Sequence, residues 1–233
     1  VTGAPFDYVL KRSRRRTIGF RIDHGGLTVT APHGVSQRVI DGAVLEKSGW
    51  IRSKLAEWAA RPAPMTLDYV DGETLPVFGE DVRLEILGRG VRTRVSRRED
   101  VLQVSVDPQI EGALRTAAIR GGLERWARRE GLAYMEPKTR AYAQMIGRKP
   151  AKITVREQKS RWGSCASDGS IRLNWRLIGF PAPLIDYVCA HEAAHLVEPN
   201  HAPAFWAVVE GLAPDWKEKR RAMRDQAERW RWP

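Results

Sequence analysis

Three of the chain's five histidines fall at positions 191, 195 and 201, and their spacing constrains the local fold more tightly than any other feature. An α-helix returns to the same face every four residues, so His191 and His195 can offer two imidazoles to one ion at the roughly 2.0–2.1 Å that zinc prefers. Pro199-Asn200 ends that helix and turns the chain back, which makes His201 the expected third ligand. Glu192 is the next residue round the helix, beside the ligand face, where a general base is needed.

The implied chemistry is hydrolysis with one Zn2+ per chain. Three protein ligands leave a fourth position open. A zinc-bound water is acidic enough to attack near neutral pH, and Glu192 is expected to take its proton and pass it to the leaving amine. The spacing 191, 195, 201 equals that of the metzincins. Glu198 stands where those enzymes carry glycine, however, and Met223 lies inside a helical pattern rather than a Met-turn, which argues against a true metzincin.

Around this motif the chain reads as α+β. An N-terminal β-rich subdomain over 1–108, with antiparallel strands and a helix, is expected to precede a mostly helical, zincin-like subdomain over 109–233 with a small sheet and the HExxH helix. Alternation predicts strands over 6–10, 17–22 and 27–31, with a hairpin turn at Gly25-Gly26. Helical spacing runs from Ser36, a candidate N-cap, to about Arg61, as one kinked helix or two because of Gly42 and Gly49. A second small antiparallel sheet is expected from 75–78, 82–87, 91–95 and 101–106. Helix is expected over 110–146, broken or bent near Gly121-Gly122 and kinked at Pro137. Strands over 152–156 and 170–175 follow, then helices over 181–196, 202–212 and 214–230.

Composition narrows the partners. The net charge of +11 attracts DNA and other polyanions non-specifically, through clusters such as Lys11 to Arg16 and Arg92, Arg94, Arg97 and Arg98, which read otherwise as solvated faces. No run of eighteen apolar residues is present and the first residues lack a signal pattern, so a soluble, cytoplasmic chain without membrane association is expected. Cys165 and Cys189 are too few for a disulfide framework and are expected as reduced thiols.

Other residues near the motif have two readings each. Arg161 and Asn174 are candidates to stabilise an oxyanion or orient a ligand, or to cap turns and pack a strand. Tyr187, one turn before His191, is a candidate donor to the intermediate or a core tyrosine. The 170–175 strand is a candidate edge that could pair with an extended peptide, or a plain structural strand. Trp162, Trp175, Phe205 and Trp206 read mainly as core around the site. His24 and His33 lack partners at metal spacing and are expected to be exposed.

The segments Gln158 to Cys165, Ile171 to Leu177, Asp186-Tyr187-Val188, His191-Glu192, Asn200-His201 and Phe205-Trp206 occur in an order that resembles the YgjP-like metallopeptidase family. Ser13 to Ile18, Ala31-Pro32 and Trp50-Ile51 extend the resemblance over nearly the whole chain. It implies a zinc-dependent hydrolase related to the SprT-like and WLM proteases, which cleave proteins crosslinked to DNA. Three readings follow: a zinc metallopeptidase acting on peptide or protein substrates, a DNA-associated protease acting on DNA-bound proteins, and a non-catalytic zinc-stabilised binding module. An intact Glu192 weighs against the third, since a structural zinc needs no base.

Overall fold

The computed structural model describes residues 5–23, 25–60, 66–158, 161–227 and 232. The expected features at His24, Arg61, Lys159, Ser160 and Trp230 lie outside them. Architecture is α+β, strand-rich towards the N-terminus and helical towards the C-terminus. Two compact units divide the chain, Val1–Pro64 and Met65–Pro233.

In the first unit, strands β1 (Tyr8–Ser13), β2 (Gly19–Asp23) and β3 (Gly26–Pro32) form a sheet in the order β1-β3-β2. Alternation in β3 puts Leu27, Val29 and Ala31 on one buried face. There they pack with Ile40, Val44 and Ile51, from helices α1 (Gln37–Glu46) and α2 (Ser48–Ala59). The helical stretch is thus two helices, parted at Lys47 rather than at either glycine. Ser36 has the extended backbone of an N-cap but makes no side-chain capping bond.

The second unit opens with β4 (Thr74–Val77), β5 (Glu80–Gly88), β6 (Arg94–Arg98) and β7 (Val101–Val106), in the order β4-β5-β7-β6. This sheet shares a core with α3 (Gly112–Met145), where Leu84, Leu102 and Val104 meet Ile119, Leu123 and Trp126. The 108/109 boundary expected from the sequence therefore falls inside the second unit. α3 runs unbroken through Gly121-Gly122. A Cβ at Gly122 would lie 2.6 Å from the Thr93 Cγ2, so this glycine lets the helix approach the β6 end of the sheet instead of breaking the helix. The helix also continues past Pro137, forgoing one backbone donor.

A third sheet, β8 (Lys152–Arg156), β9 (Gly163–Cys165) and β10 (Ser170–Asn174), has the order β8-β10-β9. A 3-10 segment (Trp175–Gly179) leads from it into α4 (Ala182–Ala194), followed by α5 (Pro203–Leu212) and α6 (Trp216–Gln226). Among the described residues no helix is long and apolar enough to cross a membrane.

All three sheets repeat one arrangement that sequential hairpins would not give. The last strand of each trio inserts between the first two, parallel to the first and antiparallel to the second: β3 between β1 and β2, β7 between β5 and β6, β10 between β8 and β9. Loop length explains it. The connections from Ser13 to Gly19, Gly88 to Arg94 and Arg156 to Gly163 are too long for a tight hairpin, leaving a strand's width open, and the shorter return turn that follows fills it. The second sheet is accordingly mixed, not purely antiparallel.

The core of the second unit fixes α4. This helix is apolar on nearly every side, with nine residues buried from Leu184 to Ala194, as expected of a helix packed all round. Its start rests against the β4–β5 turn, where Phe78 donates its backbone N–H to the Ile178 carbonyl at 2.6 Å. A side chain at Gly79 would meet the Cα of Pro181 at 2.7 Å. One side is clamped to α3: Tyr134 Oη and Lys138 Nζ reach the two oxygens of Asp186 at 2.9 and 3.0 Å. The helix that carries the histidines is thereby held at its start and along its length.

Candidate metal centre

His191 lies in the last turn of α4, His195 caps its C-terminus, and His201 follows the turn that leads into α5. Each of the three offers a ring nitrogen, and these all lie within 4.8 Å of one another. His191 Nε2 and His201 Nε2 are 3.1 Å apart, close to the separation of about 3.3 Å that two nitrogens adopt on a tetrahedral ion with 2.0–2.1 Å bonds. His195 Nδ1 sits 3.0 Å from the Glu198 carbonyl. Donation there fixes the tautomer and leaves Nε2 free to ligate, the usual outer support of a metal-binding histidine. Burial is the main cause holding the His191 pKa down to about 3, reinforced by the neighbouring His195 and His201 and by Arg220, so the ring is neutral as a ligand must be. The donor set fits a metal ion.

Phe205, fully buried, stands beside all three rings at centroid distances of 4.9, 4.4 and 4.7 Å from His191, His195 and His201. Trp206 tilts against His191 and His201 at 5.9 and 5.7 Å. Both aromatics do what was expected of them, walling the site and limiting rotation of the imidazoles.

Glu192 is 5% exposed and its Oε2 has no hydrogen-bond partner. Burial pushes its pKa up to about 8, and Arg161 draws it down. Such a carboxylate can both hold and release a proton near neutral pH. Its position depends on a residue the sequence reading did not single out: a Cβ on Gly163 would fall 2.5 Å from the Glu192 Cγ and Oε1. Glycine opens β9 because the strand passes directly against the carboxylate. In the sequence Gly163 stands inside the segment Gln158 to Cys165 that carries the family resemblance, but a glycine there is too common a feature to mark by itself.

The remaining candidates separate. Asn174 is 3% exposed and its amide is fully engaged: Nδ2 donates to the carbonyls of Gln158 (2.9 Å) and Arg161 (3.2 Å), and Oδ1 accepts from the Arg176 backbone N–H at 3.2 Å. It ties down the chain before β9 and has no donor left for a substrate. Arg161 is exposed and its charge reaches Glu192. Tyr187 is 6% exposed, with its ring 5.9 Å from His191. β10 occupies the centre of its sheet, so the edge beside the site belongs to β9; the return turn places β10 inside. Cys165 and Cys189 are free thiols, and His33 is exposed as expected.

A triad of histidines that can hold an ion, with a buried glutamate beside it, is the equipment of a metallopeptidase, and comparison with known proteins agrees. The model of the YgjP-like metallopeptidase domain matches residues 16–226, and the chain belongs to that family. Among solved structures, the chain is similar to the metallopeptidase zymogen abylysin of Pyrococcus abyssi, at 23% identity and a TM-score of 0.37 over 40% of this chain and 96% of that one. No functionally curated protein matches it.

Proposed function

We propose that the chain is a zinc-dependent peptidase in which His191, His195 and His201 hold the metal and Glu192 moves the protons. The observation that carries this reading is the convergence of three imidazole nitrogens next to a buried, unpartnered carboxylate. Bound there, zinc supplies Lewis acidity, lowering the pKa of a water and polarising the scissile carbonyl. Glu192 accepts the proton from the attacking water and returns it to the leaving amine. Its burial favours the protonated carrier, while Arg161 favours the base. Gly163 keeps the carboxylate in place, and Asn174 keeps the chain before Gly163 in place. The outer side of β9 is unpaired among the described strands and offers backbone groups to an extended peptide, which would add as a further strand. Tyr187, whose ring lies beside His191, and Arg161, whose charge reaches Glu192, are our candidates to meet charge that develops on the substrate.

The test combines metal content with cleavage. Wild-type protein should carry about one zinc per chain, weakened or lost in His201→Ala, and should cleave an unfolded protein. Glu192→Gln should keep the metal and lose cleavage by about a thousandfold or more. Wild-type protein that fails to bind added zinc would sink the proposal. Binding of zinc with activity indifferent to Glu192→Gln would leave a metal-stapled binding module.

The net charge of +11 supports a second reading, in which the same site works on proteins bound to DNA. Single-stranded DNA should then raise the cleavage rate, and the increase should fade with salt. The free thiols are consistent with a cytoplasmic setting.

A further inference from the structure

Helix α6 packs on α4 through Trp216 and Met223, both buried. Arg220 falls between them at helical spacing, where the pattern would place an apolar residue. It is nonetheless an arginine. Its Cζ stands 4.9 Å from the ring centroid of Trp206, and that ring stacks on Trp216 at 4.2 Å while tilting against His191 and His201. The guanidinium is thus mounted on the aromatic wall of the metal centre. Its charge reaches both His191 and Tyr187.

The two neighbouring cations on α6 are neutralised locally, Lys219 by Asp215 and Arg221 by Asp225. Among the described residues no carboxylate pairs with Arg220. A guanidinium lying on a ring is held in orientation and keeps its edge N–H groups for a planar, bidentate acceptor. A cation beside a site built to hold another cation is electrostatically costly unless an anion joins them.

Resting on the peptidase reading, we propose that Arg220 is a specificity-determining residue that receives a carboxylate of the substrate peptide close to the scissile bond. The carboxylate comes from an acidic side chain or from the free C-terminus of the peptide. Arg220 on this view selects acidic peptides for the centre that cleaves them.

Twin peptides differing by one group decide it, with the zinc-loaded full chain. One set compares Glu or Asp with Gln or Asn, scanned through the positions flanking the cleaved bond. The other compares a C-terminal acid with its amide. Wild-type protein should favour the carboxylate member of one set by about tenfold or more in kcat/KM, and the set that responds identifies the source. Arg220→Gln should bring that ratio close to one, chiefly by raising KM for the acidic twin, and Arg220→Lys should restore part of it. Equal cleavage of both twins by wild-type protein overturns the proposal while leaving the peptidase reading intact. So does a fall in kcat for both twins alike in Arg220→Gln, which would put the guanidinium at the developing oxyanion. No cleavage of any peptide by the zinc-loaded chain overturns the peptidase reading, and this one with it. Metal content and a thermal melt show whether Arg220→Gln is folded; if it is not, the wild-type ratio and Arg220→Lys still decide.

Discussion

The first and third sheets have the same strand order and the same pairing directions, and in both the outer, second strand opens with glycine, Gly19 in β2 and Gly163 in β9. What the glycines face is different. A Cβ at Gly19 would meet the tip of the Arg15 side chain, with Nη1 at 2.5 Å, whereas one at Gly163 would meet the Glu192 side chain at its Cγ. Arg15 is exposed and can move, while Glu192 is buried and cannot. Topology alone therefore does not make a site. What sets the third sheet apart is that Gly163, in its short outer strand, lies directly against the side chain of Glu192 on α4.

The largest effect expected from this contrast is that of Gly163→Ala. The added methyl must push Glu192 from its position, and misplacing a reacting group by about 1 Å costs on the order of a hundredfold in rate. Overpacking should cost about 1–3 kcal/mol of stability as well. Zinc content should stay at the wild-type level, because the three atoms nearest an added Cβ all belong to Glu192 and none to a histidine. Cleavage by Gly163→Ala at the wild-type rate would show that β9 does not fix the base.

A smaller effect is expected from the groups that pin the chain beside each sheet. Asn174→Ala strands the Gln158 and Arg161 carbonyls and the Arg176 amide, a loss of about 2 kcal/mol, and cleavage should fall several-fold as the segment before β9 loosens. In the first sheet Arg12 plays the comparable part, its Nη1 lying 3.1, 3.0 and 2.7 Å from the carbonyls of Pro32, His33 and Val35. Those acceptors are near solvent, so Arg12→Ala should cost about 1 kcal/mol or less and leave peptide cleavage as it was. Denaturant melts paired with cleavage rates read both variants. A similar loss of activity in the two would erase the distinction between the sheets.

The same contrast explains what could be read before the structure. The histidine spacing and the α4 pattern are local, and they were enough to single out the three histidines that the fold brings together and the buried Glu192 beside them. Most strands were legible for the same reason. Strand order was not, because alternation says which face of a strand is buried and nothing about its neighbour; the inserted β3, β7 and β10 follow from loop lengths acting together with return turns. Gly121-Gly122 looked like a helix breaker, but its second glycine is there to admit Thr93. Asn174 had two readings, a ligand contact or a turn cap, and its hydrogen bonds accord with the second; sequence alone left both open because its partners Gln158 and Arg161 lie more than ten residues away along the chain. Arg220 was hidden in a basic helix, where its setting beside Trp206 only appears once α6 is folded back on α4.

The smallest expected effect is Gly19→Ala, and it is the sharpest control. Gly19 lies in a strand with no left-handed backbone requirement, so alanine removes unfolded-state freedom worth about 0.4–1 kcal/mol in favour of the fold. Against that, Arg15 must swing away, giving up at most a weak 3.5 Å contact with Thr17, and an exposed arginine has many rotamers in which to do so. The two terms nearly cancel, and the midpoint of unfolding should move by no more than the equivalent of about 0.5 kcal/mol. Cleavage should not change. A loss of activity here as large as that of Gly163→Ala would mean that the first sheet also acts on the metal centre, and that the likeness between the two sheets extends to function.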